Sequence, residues 1–131
     1  MKPPETRYSD YDRFAWFYNK YWGSSSYIDM VITILDDLLL SNLSVDSRIL
    51  DLCCGTGQVA HALMTRGFQV TGVDGSEEML RYARENAPSA EFILADVRDI
   101  SLADTYNAAI STYDSLNHIM RIGELATVFQ N

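Results

Sequence analysis

The feature that most constrains the fold of this chain is a regular alternation of strand-like and helix-like segments that begins near Arg48. The pattern predicts strands over Ile49 to Cys53 and Phe68 to Asp74, with a helix over Gln58 to Arg66 between them. Two strands joined by a helix form a βαβ unit, in which the strands are parallel and the crossover is right-handed. The sequence therefore predicts an α/β protein.

The same alternation continues toward the carboxyl end of the chain. Ser76 is the predicted N-cap of a helix that Pro88 ends, and further strands are predicted over Phe92 to Ala95 and Ala108 to Ser111. A series of this kind builds a doubly wound parallel sheet in which the fourth strand lies beside the first. We expect the first four strands of such a sheet, preceded by two N-terminal helices.

The two N-terminal helices are predicted from their apolar periodicity. In the first, aromatic residues recur at helical spacing at Tyr11, Phe14, Tyr18 and Trp22, and in the second an apolar stripe runs from Ile28 to Leu39. The aromatic rings admit two interpretations, namely burial against the core or a lid whose rings border a ligand. We treat residues 1–44 as a helical lid or cap region and residues 45–131 as the ligand-binding domain.

Charge and composition narrow the class of ligand. The chain has 10 Lys and Arg against 18 Asp and Glu, a net charge of −8, which disfavours nucleic acid and anionic membrane surfaces as partners. No run of about 18 apolar residues and no apolar signal core occur, so we expect a cytoplasmic protein. The adjacent cysteines Cys53 and Cys54 and two scattered histidines do not have metal-ligand spacing, so we predict no metal. The expected partner is a small-molecule substrate.

Residues at the carboxyl ends of the predicted strands should meet, because ligands of open α/β sheets bind at that edge. The segments concerned are Asp51 to Gly57, Asp74, Asp96 with Val97, and Ser111 to His118. The glycine turn exposes N–H groups at a helix start, Asp74 is placed to accept hydrogen bonds from ribose hydroxyls, and Asp96 is placed to accept one from an exocyclic amine. A structural tight turn and simple caps at the two aspartates are the alternatives. Together the segments predict a nucleoside pocket.

The chain resembles the class I S-adenosylmethionine-dependent methyltransferases of the small-molecule type. The resemblance rests on residues 49–57, 73–76, 79, 95–97, 106–110 and 114–118, and on Tyr11 to Ala15 near the start. It implies a Rossmann-like sheet, S-adenosylmethionine as cofactor, and methyl transfer to a small acceptor. Residues 45–131 would then be the S-adenosylmethionine-binding domain.

The resemblance also implies roles for individual residues. Asp51 and the turn at Cys53, Cys54 and Gly55 would hold the methionine portion, Asp74 the ribose, Met79 one adenine face, and Asp96 with Val97 the adenine edge. The remaining predicted cofactor-binding residues are Tyr11, Tyr18, Gly57, Gly75 and Thr112. For Met79, core packing is an equal alternative. Cys53 stands where the family usually has its first glycine, and a small Cys keeps the backbone contacts there if its φ is negative.

Methyl transfer from a sulfonium is an in-line displacement, so the protein mainly aligns donor and acceptor and excludes water. Tyr11 and Tyr18 are candidates for cation–π attraction to the sulfonium. A general base is needed only when the acceptor must lose a proton, and Tyr113, Asp114 and His118 are the candidates. A capping role for Asp114 and a structural role for His118 are the alternatives.

Two other functions remain open from the sequence. Gly55 to Ala60 also fits the G-x-G-x-x-A pattern of an NAD(P)-binding oxidoreductase, although Asp51 before the turn suits a methionine ammonium better. The other is a catalytically incomplete S-adenosylmethionine-binding or interaction module.

The last ten residues have the pattern of an unfinished helix, whereas the family's sheet continues with further strands. We therefore expect a chain truncated after the fourth strand, with the C-terminal strands missing and an incomplete acceptor pocket. An exposed fourth-strand edge would favour a homodimer through Tyr106 to Ser111 and Leu125 to Phe129.

Overall fold

The structure is a computed structural model that describes residues 15–21, 25–97, 100 and 105–112. Its elements, in chain order, are α1 (Ala15–Tyr21), α2 (Ser25–Leu38), a 3-10 turn (Leu40–Asn42), β1 (Arg48–Leu52), α3 (Gln58–Thr65), β2 (Gln69–Asp74), α4 (Glu77–Asn86), β3 (Glu91–Leu94) and β4 (Ala108–Ile110). The predicted α/β class and the two helices ahead of the first strand are confirmed.

The four strands form one parallel sheet in the order β3-β2-β1-β4. The register pairs Asp51 with Gly72 on one side and with Ile110 on the other. The chain adds β2 and β3 on one side of β1 and then returns to place β4 on the opposite side, as predicted. This reversal opens a crevice at the carboxyl ends of β1 and β4, which is the usual ligand position in such sheets.

At the amino-terminal ends of the strands, opposite the crevice, Asn107 joins β4 to β1. The backbone N–H of Arg48 donates to Oδ1 of Asn107 at 2.7 Å, and the N–H of Asn107 donates to the carbonyl oxygen of Arg48 at 2.8 Å. These two bonds extend the pairing of β1 and β4 by one residue and lie far from the crevice. Asn107 is therefore part of the sheet and not of the ligand edge.

Apolar clusters cover both faces of the sheet. One joins α2 and α3 to the sheet through Ile28, Val31, Ile49, Leu63 and Val70, among others. The other contains Leu50, Val73, Val97 and Ile100. Alternation along β1 puts Ile49 and Leu50 on opposite faces, so the strand is buried on both sides, as expected for the centre of a parallel sheet.

The helices ahead of the sheet are short. Within the part of the chain that the structure describes, no helix is long and apolar enough to cross a bilayer. The proposed division at residue 44, the cytoplasmic location and the homodimer remain predictions, and Leu125 to Phe129 lie outside the described residues.

Gly57 fixes the junction between the turn after β1 and helix α3. Its φ is 80°, and a Cβ added there would lie 2.9 Å from the Cα of Ala83 in α4. Both the left-handed backbone and the close approach of α4 exclude a side chain at this position.

We therefore expect Gly57→Ala to lower the free energy of unfolding by about 2–4 kcal/mol, because it combines backbone strain with overpacking. Gly75→Ala is the matched control, since the nearest atom to its added Cβ is the Ala95 oxygen at 3.8 Å. The control should stay within about 0.5 kcal/mol of the parent in urea unfolding. Equal losses for the two variants would contradict this account of Gly57.

Candidate functional site

The candidate site lies at the carboxyl edge of the sheet, where the predicted strand-end residues converge. The Cys54 N–H donates to the Val73 carbonyl oxygen at 2.9 Å, and the Ala95 N–H donates to the Asp74 carbonyl oxygen at 3.0 Å. Hydrogen bonds between successive strand ends thus link the turn after β1 to the end of β2, and the end of β2 to the end of β3.

Asp74 connects two of these segments through its side chain. Its Oδ2 accepts a hydrogen bond from the Gly55 N–H at 2.9 Å, and its Oδ1 accepts one from the Ser76 N–H at 2.9 Å. The N-cap of α4 is Ser76, whose Oγ accepts from the Met79 N–H at 3.1 Å, as the sequence predicted. Asp74 therefore orients the glycine turn instead of capping α4 as its N-cap residue.

Asp51 has an unusual environment for a carboxylate. It is 1% exposed, and neither oxygen has a hydrogen-bond partner among the described residues. Burial, and secondarily the negative charge of Asp74, raises the pKa of Asp51 from 3.8 to about 8. A buried acid without donors is costly unless it is neutral or meets a cation, so this position favours a positively charged ligand group.

Cys53 corrects one expectation from the sequence. Its φ is 58°, so the backbone there is left-handed and not at negative φ. Gly55 and Gly57 in the same turn also have positive φ, at 58° and 80°. Because three of the five residues from Cys53 to Gly57 have left-handed backbone, β1 ends at Leu52, one residue earlier than predicted. A residue with a Cβ is strained in this conformation, so Cys53 is a strained substitute for glycine.

The thiols of the turn are poor nucleophiles. Burial, followed by the charges of Asp74, Asp51 and Asp96, raises the pKa of Cys53 from 9.0 to about 12. The pKa of Cys54 is also raised well above its usual value, mainly by burial. Burial and the neighbouring carboxylates therefore favour the neutral thiol at both positions.

Tyr18 covers the turn from helix α1. A Cβ added to Gly55 would lie 3.5 Å from Cε1 of Tyr18 and 3.9 Å from its hydroxyl oxygen. The aromatic ring thus lies beside the turn, and its predicted role next to a ligand stays a prediction. Trp16 and Tyr21 of the same helix are largely exposed, and Tyr11 lies outside the described residues.

The remaining predicted site residues differ in their exposure, and some of them lie outside the described residues. Met79 is 2% exposed and Val97 is 6% exposed, whereas Asp96 and Thr112 are half-buried and Gly75 is exposed. The predicted catalytic residues Tyr113, Asp114 and His118 lie outside the described residues. Their roles, and the two interpretations of Met79, stay predictions.

The sequence did not point to a polar cluster behind the turn. Asn19 on α1 accepts hydrogen bonds from Gln58 on α3 and from Asn86 on α4. Gln58 and Asn86 are each also hydrogen-bonded to Thr56 of the turn. Amide side chains far apart in the sequence have no pattern that would have marked them, so only the tertiary structure shows this cluster.

A family model described as a methyltransferase domain matches residues 49–131. The chain belongs to this family. Among curated proteins, YqeM of Bacillus subtilis, named as a methyltransferase, is 37% identical to this methyltransferase domain over 95 residues. That match covers 70% of this chain and 38% of YqeM. The family indicated by the motifs is therefore confirmed.

Two solved structures share the fold of this methyltransferase domain. The PH0226 protein of Pyrococcus horikoshii OT3 is 36% identical with a TM-score of 0.72, covering 94% of this chain and 55% of that one. CalS10 of Micromonospora echinaspora, an amino pentose methyltransferase with SAM bound, is 25% identical with a TM-score of 0.73, covering 86% of this chain and 48% of that one. The chain spans 38% and 50% of the first two curated relatives it matches.

The raised pKa of Asp51 predicts a pH-dependent stability. Between about pH 4 and pH 8 the folded protein retains a proton on Asp51 that the unfolded chain has lost, so stability falls as pH rises, by up to about 1.4 kcal/mol per unit. Asp51→Asn removes this titration. The free energy of unfolding of the variant relative to the parent, measured in urea, should therefore increase from pH 5 to pH 8. Asp37→Asn, at an exposed position of α2, should follow the parent profile. Parallel profiles for Asp51→Asn and the parent would contradict the burial of an unpaired acid.

The left-handed backbone at Cys53 predicts a stabilising substitution. Cys53→Gly should raise the free energy of unfolding by up to about 1 kcal/mol, because glycine adopts positive φ without a Cβ penalty. Cys53→Ala keeps the Cβ and should give no such gain. Urea unfolding of both variants gives the comparison. An equal increase in the free energy of unfolding in both would show that removal of the thiol, and not relief of backbone strain, causes the effect.

Proposed function

We propose that this methyltransferase domain binds S-adenosylmethionine and takes part in methyl transfer to a small-molecule acceptor. The observation that carries the proposal is the buried Asp51, whose two oxygens have no hydrogen-bond partner among the described residues. S-adenosylmethionine has an ammonium on its methionine portion, and an ammonium would supply both the donors and the positive charge that Asp51 needs.

The turn beside Asp51 suits the rest of the methionine portion. Glycine at position 55 and left-handed backbone at Cys53, Gly55 and Gly57 allow a ligand to approach the main chain closely. The Tyr18 ring above Gly55 offers an aromatic face to the sulfonium, an attraction of about 0.5–2 kcal/mol. A cationic ligand would therefore meet the Asp51 carboxyl group, which its charge would help to ionise, and an aromatic ring beside the same turn.

The adenosine portion would extend across the ends of β2 and β3. Asp74 would accept hydrogen bonds from the ribose hydroxyls, and Asp96 with the Val97 N–H would bind the adenine edge. Met79, at the first turn of α4, would contact one face of the base. Asp74 already orients the Gly55 and Ser76 N–H groups, so the ribose would bind at the same residue that fixes the turn.

When bound, S-adenosylmethionine supplies the electrophilic methyl group. The residues of this chain align the donor, exclude water from it and neutralise its charge, and the neutral thiols of the turn form no covalent bond. Tyr113, Asp114 and His118 are proposed to meet any proton that an acceptor must lose. A small acceptor is supported by CalS10, which is an amino pentose methyltransferase.

An NAD(P)-binding oxidoreductase is less well supported. A dinucleotide places its pyrophosphate at the glycine turn, and the anion would lie near the carboxyl group of Asp51. Membership in the methyltransferase family also argues against it. The incomplete, non-catalytic binding module remains an outcome of the experiment below.

Calorimetric titration with S-adenosylmethionine, S-adenosylhomocysteine and NAD tests the proposal. We expect both adenosyl ligands to bind and NAD to give no signal at the same concentrations. NAD binding without a response to the adenosyl ligands would overturn the assignment, and no response to any of them would favour an interaction module. Binding without methyl transfer to any small acceptor would indicate the incomplete module.

Two variants separate the halves of the ligand. Asp51→Asn should weaken S-adenosylhomocysteine at least about 100-fold, because a buried ammonium loses its counter-ion. The same variant should bind 5′-methylthioadenosine, which lacks the amino-acid portion, within a few-fold of the parent. Asp74→Asn should weaken both ligands, by about 10- to 100-fold, since ribose is common to them. Equal losses of both ligands in Asp51→Asn would show that Asp51 does not face the ammonium.

A further inference from the structure

Helix α1 is held to the domain by unusually little apolar burial. It has seven residues, and Ala15 is its buried one, whereas Trp16 and Tyr21 are 56% and 55% exposed. Ring contacts join Trp16 to Phe17 and Phe17 to Tyr21 within the helix itself. Isolated helices of ordinary length are only marginally stable in water, so the position of α1 depends on contacts with the rest of the fold.

Asn19 makes polar contacts that join α1 to α3 and α4. Its Oδ1 accepts a hydrogen bond from Nε2 of Gln58 at 3.0 Å and another from Nδ2 of Asn86 at 2.7 Å. Gln58 begins α3 and Asn86 ends α4, so a single oxygen atom joins three helices. An amide oxygen has two acceptor sites, and these two bonds use both.

The same two partners hold the glycine turn. Nδ2 of Asn86 also donates to the carbonyl oxygen of Thr56 at 2.7 Å, and Oγ1 of Thr56 is hydrogen-bonded to Oε1 of Gln58. Thr56 is fully buried, at 0% exposure. The cluster of Asn19, Thr56, Gln58 and Asn86 therefore connects α1 to the turn. The ring of the preceding residue, Tyr18, lies beside Gly55 of the same turn.

We propose that Asn19 is a positioning residue that holds Tyr18 over the glycine turn and thereby sets how long a ligand stays in the site. This inference rests on the proposed binding of an adenosyl ligand at that turn. Tyr18 and Asn19 are adjacent, so on a helix they point about 100° apart, one toward the turn and the other toward α3 and α4. Loss of the Asn19 bonds releases the helix and, with it, the ring that covers the ligand.

The first test uses S-adenosylhomocysteine as probe and its dissociation rate by stopped-flow fluorescence as readout. Asn19→Leu, which removes the acceptor at similar volume, should speed dissociation by roughly 5- to 20-fold. Asn19→Asp keeps the acceptor and should stay within about threefold of the parent. Lys20→Leu, at the exposed neighbouring position, should leave the rate unchanged. No acceleration in Asn19→Leu, or equal acceleration in Lys20→Leu, would overturn the proposal.

A double-variant cycle shows whether Asn19 acts through Tyr18. Tyr18→Ala should itself speed dissociation, and adding Asn19→Leu to it should change the rate by less than about twofold. Independent, multiplying effects would mean that Asn19 supports the turn directly and does not position the ring. A general loss of stability would also give multiplying effects, so the cycle separates positioning from a purely structural role.

A ligand-free measurement distinguishes failure of this inference from failure of the proposed function. In the unliganded protein, Asn19→Leu should speed hydrogen exchange of the α1 amides at least about tenfold, with little change in β1 and β2. Unchanged protection of α1 would overturn the role of Asn19 whatever the ligand. If the parent protein does not bind S-adenosylhomocysteine while exchange in α1 responds as expected, the proposed function fails and the attachment of α1 by Asn19 stands.

Discussion

The Asp51 carboxyl group is buried with no hydrogen-bond partner among the described residues, and the site is organised around this constraint. A carboxylate in a parallel sheet, with strands on both sides, cannot be hydrated by bulk water, and its negative charge is disfavoured there. The fold tolerates it by keeping the acid protonated, which is what the raised pKa of Asp51 expresses. Such a group weakens the unliganded protein, and under the proposed function it would strengthen the complex with a cation, a common compromise between stability and function.

The glycine turn is shaped by backbone conformation and by Asp74 together. Positive φ at Cys53, Gly55 and Gly57 turns the chain sharply out of β1, and the Asp74 carboxylate then fixes the Gly55 N–H. Because the charge on Asp74 also helps to raise the pKa of Asp51, the residue that orients the turn makes the ionised form of its neighbour still less favourable. Geometry and electrostatics at this edge are therefore not independent.

The described part of the N-terminal region is attached to this edge mainly by polar contacts and one aromatic ring. Asn19 joins α1 to α3 and α4 and the Tyr18 ring lies beside Gly55, while α2 packs on α3 through the apolar cluster that includes Ile28 and Val31. The two helices thus differ in how firmly they are fixed. A helix held by a few hydrogen bonds can open without exposing a core, whereas displacement of α2 would expose one.

The sequence by itself determined the parallel α/β fold, the Ser76 cap, the family and the convergence of Asp51 and Asp74 at one edge, because these depend on local periodicity, on capping preferences and on the rule that parallel strands end together. Element bounds were displaced by about one residue where local backbone decided them, as at Cys53. Only the tertiary structure decided that Asp51 is buried with no donor among the described residues, that Cys53 is left-handed, and that Asn19 meets Gln58 and Asn86. Burial, φ at a non-glycine residue and long-range side-chain contacts follow from how the elements pack against each other, and no pattern along the chain encodes that packing.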